Sequence, residues 1–394
     1  MIVVISLDGV CHEDVDFNIL PNLKSLADQG VYTKRMRVAF PSTTWINHTC
    51  AITGKGPDKH GVLGGRTYSR SKKTAFGYFE APIFDIKTVP IPTIFDKAAE
   101  KGKTTAAICW PLSQGSSNIR YNIPEFYKQD HFDNYSTPDL IKELIAHNME
   151  FENYADWSND KKLSPLQDDL TCRITEYLIS NKPIDLLFAH FLIHDSYQHI
   201  LGIHTPETKW SLKYLDGLVG RIVNTLKSAK LFEESHIIIM SDHGHEALNK
   251  YFDLKSFIKQ QGIPDGTLEY VNNGGALHIY PKKDNVPEKL ITDLSAALEK
   301  HEAVEFTILK EQAAKYGLNP KALPDTYPDI IIGLNHGWCL LDKPYKGTHG
   351  FLPETHPRMD SFMIRSGKSF PKGTKEESGH ICNIYGIVEK LLDM

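Results

Sequence analysis

Residues 1–8 read MIVVISLD. A short apolar run that ends in an aspartate describes a buried strand delivering a carboxylate to its C-terminal end. The pattern recurs at 236–243, HIIIMSDH, where Asp242 and His243 follow the run. Two further runs, 104–109 (TTAAIC) and 184–191 (IDLLFAHF), have the same length and apolar character. Continuous rather than alternating hydrophobicity is the mark of strands covered on both faces. Between the runs lie helical patterns at Pro21–Gly30, 92–102, 164–181 and 207–229, several opened by Pro or closed by Gly. This alternation predicts an α/β sandwich around a largely parallel sheet. In such sheets ligands gather at the carboxyl ends of the strands, where Asp8 and Asp242 fall.

After His245 the texture changes. Residues 246–345 hold a strand-like GALHIYPK (275–282), a helix over 287–302 and strand-like runs at 304–310 and 328–341. The expected organisation is a catalytic core over 1–245, a small inserted α+β cap over 246–345, and a closing core segment over 346–394. At 394 residues the chain is long enough for a core with an insertion.

Composition narrows the partners. The net charge is −5 with no basic block, so a nucleic-acid polymer is not held by bulk electrostatics. A small anionic substrate needs local positive charge, which metal ions supply. No run approaches the ~20 apolar residues of a membrane span. Asp8 comes too early for a signal-peptide core, no basic stretch precedes it, and the six cysteines form no CxxC pair. The expectation is a cytoplasmic enzyme with no membrane partner.

Five clusters carry the chemistry: the strand ending in Asp8, PSTTWINHTCAITG (41–54), HDSYQHILG (194–202), IIIMSDHGHE (237–246) and KGTHGF (346–351). The metal-ligand candidates in them are Asp8, Thr44, Asp195, His199, Asp242, His243 and His349. Four oxygen donors and three imidazoles suit two borderline divalent ions such as zinc. Asp195 and His199 are four apart, so one helical turn puts both on one face. His349 sits between small residues that permit close backbone approach. Each residue also has a plainer reading: a turn aspartate, an exposed i,i+4 pair, a surface histidine. His194, His204 and His356 compete for the same roles. A hydroxyl at the entrance of the 41–54 helix would ordinarily cap backbone amides. It could equally be a nucleophile aimed at phosphorus. Both readings fit Ser42, Thr43 and Thr44 alike.

In this order the motifs resemble the nucleotide pyrophosphatase/phosphodiesterase family of the alkaline phosphatase superfamily. The likeness rests on Asp8, Thr44-Trp45-Ile46-Asn47-His48, Ile52-Thr53-Gly54, His60-Gly61, Asp195 with His199 and Gly202, Ser241-Asp242-His243-Gly244, Gly347 to Phe351, and the closing stretch 359–373. It implies an alkaline phosphatase-like α/β/α sandwich and Thr44 as the nucleophile of a phosphothreonine mechanism. It further implies one zinc on Asp195, His199 and His349, and another on Asp8, Asp242, His243 and Thr44. Trp45 would contact the group carried by phosphorus. Relatives usually carry an Asn about twenty residues after the nucleophile; here Gly65 stands there, with Arg66 and Asn47 as substitutes. A phosphonoacetate hydrolase-like or phosphomonoesterase activity is the alternative enzyme reading, and an inactive metal-binding module the non-enzymatic one.

Overall fold

A computed structural model describes residues 1–77, 85–283, 285–340 and 345–394. Its centre is an eight-stranded sheet in the order Thr374–His380, Gly30–Arg37, Ser361–Ser366, His236–Met240, Ile2–Leu7, Leu186–Phe191, Thr105–Trp110, Tyr121–Pro124. Ser361–Ser366 runs against both of its neighbours; the other pairings are parallel. The opening strand is therefore central, with His236–Met240 on one side and Leu186–Phe191 on the other.

Strand alternation explains why these runs are almost wholly apolar. Val3, Ile5, Leu7, Ile237, Ile239, Leu187 and Ala189 face one core. Ile2, Val4, Ile238, Met240, Leu186 and Phe188 face the other. Successive side chains point to opposite faces, and both faces are covered by helices. Residues of Pro21–Asp28, Ser164–Asn181 and Pro206–Ser228 pack into the first core. Those of Thr44–Thr53, Ile94–Glu100 and Asn383–Leu392 pack into the second. The architecture is an α/β/α sandwich.

Residues Leu268–Asn273, Ala276–Pro281, Ile330–Leu334 and Val304–Ile308 make a separate antiparallel four-stranded sheet. The helix Glu288–Leu298 packs on it, and the resulting core leans on Val38, Phe351 and Met359 of the main body. The run read as one strand over 328–341 is two strands, Ile330–Leu334 and Trp338–Leu340, joined by a turn at Gly337 with φ +81°. Leu341, and residues 284 and 341–344 of the expected cap, lie outside the described residues. Among the described residues, no helix is long and apolar enough to cross a membrane.

Candidate active site

Three adjacent strands bring their C-terminal ends to one place. Ile2–Leu7 delivers Asp8, and His236–Met240 delivers Asp242 and His243. Leu186–Phe191 carries His190 beside Ser6 and leads into the helix Ile193–Leu201, which holds Asp195 and His199 one turn apart. That helix is fixed at its start by Asp168, a buried carboxylate that accepts from the amides of Leu192 and Ile193 at 2.8 and 2.9 Å. Unpaired amides at a helix start are the natural partners of such a group. Gly9 has φ +74°, and a Cβ there would lie 3.0 Å from the Asp195 backbone. Glycine thus lets the first strand end pass under the helix, where Gln198 donates to the Gly9 carbonyl at 2.8 Å. Ser241 ties the other strand end in, accepting from the Val10 amide at 2.9 Å and donating to the His243 carbonyl.

His349 arrives from the far end of the chain. The pair Gly347–Thr348 lies antiparallel to Glu246–Ala247. The Gly350 amide donates to the Ser42 carbonyl at 3.0 Å, and the His349 carbonyl accepts from the Gly275 amide at 2.8 Å. Gly350 has φ +95°, and a Cβ there would lie 2.1 Å from the Asn273 carbonyl oxygen. A side chain at Gly350 is excluded both by conformation and by space.

The seven candidates converge in two halves. His243 Nε2 lies 3.1 Å from Thr44 Oγ1, 3.2 Å from Asp242 Oδ2 and 3.5 Å from Asp8 Oδ1. Asp195 Oδ1 lies 3.3 Å from His199 Nε2 and 3.7 Å from His349 Nε2. The halves touch, since the His243 and His349 rings stack with centroids 4.0 Å apart. Atoms of Asp8, Asp195 and His243 also lie within 4.8 Å of one another. His199 donates from Nδ1 to the Gly347 carbonyl at 2.9 Å, which leaves Nε2 as its free lone pair toward Asp195.

The donor set fits cations. Asp8 Oδ1 and Asp242 Oδ2 are buried carboxylate oxygens without a hydrogen-bond partner. Burial, then the neighbouring Asp242, pushes the Asp8 carboxyl well above its usual range. Burial pushes Asp242 up to about 7. Burial opposes ionisation of Asp195 as well, but His199 and Lys161 outweigh it and hold that carboxyl well below its usual range. Burial holds the His243 and His349 imidazoles well below theirs, and a neutral imidazole is the form that ligates a metal. Three carboxylates crowded away from water are stable as anions only with positive charge among them.

The structure separates the three hydroxyls. Ser42 donates to the Phe351 carbonyl at 2.7 Å and accepts from the Gly350 amide at 3.2 Å, so it anchors the His349 loop. Thr43 occupies the N-cap position of Thr44–Thr53 and makes no capping bond. Thr44 is the first helical residue, and its hydroxyl points at His243.

A cavity of about 450 Å³ opens over these groups, lined by Thr44, Trp45, Arg66, Lys161, Asp195 and His349 among others. Gly65 lines it too. The backbone of Arg66 is held by Asn273, another lining residue, which accepts from the Arg66 amide and donates to its carbonyl, both at 3.1 Å. Asn47 is placed elsewhere: fully buried, it accepts from the Ala39 amide at 2.8 Å and donates to the Thr43 carbonyl, so its amide group shapes the loop before the helix. The competing histidines also lie apart. His194 bonds Ser211 at 2.8 Å, His204 is largely exposed beside Asp14, and His356 stacks on Phe351.

Sequence reasoning passed over three histidines that the structure places at the centre. His245 lies 2.7 Å from Asp195 Oδ1, nearer than His199 or His349, and joins them in one potential ligand group. His190 contacts Asp8 Oδ2 at 3.0 Å and the Cys109 carbonyl at 3.1 Å. His48 bridges the Thr44 carbonyl and the Ser6 hydroxyl at 2.8 and 2.9 Å. A histidine inside an otherwise apolar strand, as in FAHF, was the available signal for His190.

The α/β/α sandwich gathers carboxylates and imidazoles at its strand ends, a donor set that fits divalent cations. Residues 2–355 match the model of the type I phosphodiesterase / nucleotide pyrophosphatase family, and the chain belongs to that family. It is 24% identical over its full length to mouse bis(5'-adenosyl)-triphosphatase enpp4, covering 77% of that protein. It is 23% identical over its full length to an uncharacterized pyrophosphatase/phosphodiesterase of Schizosaccharomyces pombe, again covering 77%. Human ectonucleotide pyrophosphatase/phosphodiesterase 5 shares the fold, with a TM-score of 0.76 at 21% identity over all of this chain and 95% of that one. The mouse counterpart has been solved as an inactive threonine-to-alanine variant in complex with AMP.

Proposed function

We propose that the protein is a two-zinc phosphodiesterase/nucleotide pyrophosphatase in which Thr44 forms a phosphothreonine. The observation that carries this reading is the position of Thr44 Oγ1. It starts a ten-residue helix, faces a cavity, and lies 3.1 Å from an imidazole that also contacts Asp8 and Asp242. Asp195, His199 and His349 would hold one ion; Asp8, Asp242, His243 and Thr44 would hold the other. Such ions neutralise the clustered carboxylates, favour the alkoxide of Thr44 and offset charge on the phosphoryl oxygens.

The chain's own groups do the rest. Thr44 Oγ1 gives up its proton to solvent and attacks phosphorus in line, the bond to the leaving oxygen breaks, and that oxygen departs with a proton from solvent. Amides in the first turn of Thr44–Thr53 lack intrahelical acceptors and suit a phosphoryl oxygen. Water then attacks phosphorus, and the Thr44 oxygen leaves and regains its proton. Two inversions retain configuration at phosphorus. Trp45 walls the space for the group carried by phosphorus, and Arg66 and Lys161 add positive charge to the wall. The mouse relative supports this reading, because its inactive form carries a threonine-to-alanine change and binds AMP.

Gly65 brings no side chain to the cavity, so the panel that tests the substrate class must span it. Nitrophenyl esters of a nucleotide, a simple phosphodiester, a phosphomonoester and a phosphonate are to be compared with zinc present. The nucleotide ester should turn over fastest; a preference for the phosphonate or monoester would favour the alternative activities. The substrate is a small phosphorylated molecule rather than a polymer. None of the six cysteines is joined in a disulfide, which suits the reducing cytoplasm. Residues 246–345 serve as the cap over the cavity, which Leu248, Asn272, Asn273 and Gly274 help to line.

A further inference from the structure

Glu246, next to His245 in the chain, belongs to a second group of metal-type side chains that the catalytic reading does not use. Glu246, His336 and His356 offer ligand atoms that all lie within 4.8 Å of one another. His336 Nδ1 is 3.3 Å from Glu246 Oε1, and the two imidazoles face each other with centroids 3.9 Å apart. They come from three separate segments. Glu246 sits opposite Thr348 in the short strand pair, His336 is in the turn before Trp338–Leu340, and His356 precedes the closing turn Pro357–Met359.

The plain alternative is an aromatic stack, since His356 also lies on Phe351 with centroids 4.6 Å apart. Stacking does not explain the polar atoms around it. His356 is fully buried and its Nε2 has no hydrogen-bond partner, while its Nδ1 is taken by the Thr355 hydroxyl at 3.0 Å. The buried Oε2 of Glu305, 3.6 Å from His356 Nδ1, has no hydrogen-bond partner either. Buried polar atoms without partners are uncommon in folded proteins and point to something that satisfies them.

We propose that Glu246, His336 and His356 form a further divalent-cation site, separate from the catalytic cluster, that binds zinc. Two imidazoles and one carboxylate are a zinc-type donor set, with water completing a tetrahedron. The side chain of His336 is 61% exposed, which gives the ion a path in and keeps one face open to solvent. The three ligands span 110 residues of chain, 246 to 356, so the ion cross-links the cap segment to the closing core. Closing long loops stabilises the fold chiefly by restricting the unfolded chain.

The test compares the full chain with His336→Ala, chosen because that side chain is the most exposed of the three. Zinc binding is read by equilibrium dialysis and metal analysis, and melting temperature is followed across the same zinc series. Wild type should hold one zinc more per chain than the variant. The variant's affinity at that site should fall at least about 10-fold, the loss typical of removing even an outer partner of a ligand. Its nitrophenyl esterase turnover should stay near wild type. Glu246→Gln should reproduce the loss of zinc. Equal zinc content and equal thermal response in wild type and His336→Ala would overturn the site. The readout is a difference between two chains, so it stands whatever number of ions the catalytic cluster holds.

Discussion

Replacing Thr44 and Ser42 in turn separates nucleophile from scaffold. Among the described residues, the only hydrogen-bond partner of the Thr44 hydroxyl is His243. Thr44→Ala therefore removes one bond worth about 0.5–1.5 kcal/mol. Alanine recovers up to about 0.7 kcal/mol through its higher helix propensity. The net change in stability is small and the fold persists. Turnover should nevertheless fall by about 10³-fold or more, because the attacking atom is gone. Ser42→Ala has the opposite profile. It strips a buried hydroxyl from both the Phe351 carbonyl and the Gly350 amide. The Gly350 amide keeps its bond to the Ser42 carbonyl, but the Phe351 carbonyl loses its Ser42 donor, a loss of about 1–3 kcal/mol. The His349 loop should loosen, the melting temperature should drop, and activity should return in part at high zinc. The assay is steady-state release of nitrophenol from a nucleotide ester over a zinc series, with thermal unfolding in parallel. Near-wild-type turnover in Thr44→Ala, with turnover abolished at all zinc concentrations in Ser42→Ala, would refute the assignment.

Further outcomes follow from particular contacts. His245→Ala should weaken metal binding about 10-fold or more, because it removes the imidazole nearest Asp195; unchanged metal retention would show that His245 is only packing. Gly350→Ala should lower the melting temperature and lose metal more easily, since a side chain there meets the Asn273 carbonyl; a neutral effect would contradict the loop geometry. Burial pushes Asp168 up to about 7 from an unfolded value of about 3.9. Its folded form thus holds a proton more tightly than its unfolded form, so this contribution to stability is full below about pH 4 and lost as pH rises through about 7. Asp168→Asn should erase that part of the pH dependence of the melting temperature; an identical pH profile would refute it. Hydrogen exchange should show the four-stranded sheet of 268–334 opening as a unit distinct from the eight-stranded sheet, and a single common exchange free energy would contradict a separate cap.

The fold was legible where burial is two-sided. IVVISL and HIIIM are buried on every residue and apolar on all but Ser6 and His236, because helices cover both faces, and both strands lie where the runs do. Gly30–Arg37 and Thr374–His380 escaped notice because GVYTKRMR and TKEESGH are polar strands near and at the sheet edge, where one side meets water. The candidate ligands could be read because acids at strand ends carry a positional signal. His245 could not, because only the fold turns it toward Asp195 across 50 residues of sequence. Asn47 is ambiguous for a related reason: an amide beside a candidate nucleophile reads the same in sequence whether it faces substrate or, as here, the Ala39 amide. The clasp between Asn273 and Arg66 joins residues 207 apart and leaves no local pattern.

The central claim is that buried carboxylates and imidazoles act through bound metal on a phosphorus–oxygen bond. Its most direct test is turnover of the nucleotide nitrophenyl ester by the full chain after exhaustive chelation, and again after zinc is restored, with metal content measured at each step. The expected result is loss of activity as the metal leaves and recovery as about two zinc ions return to the cluster, the number a paired-ion displacement needs. Full turnover by chain verified to be free of metal would contradict the account.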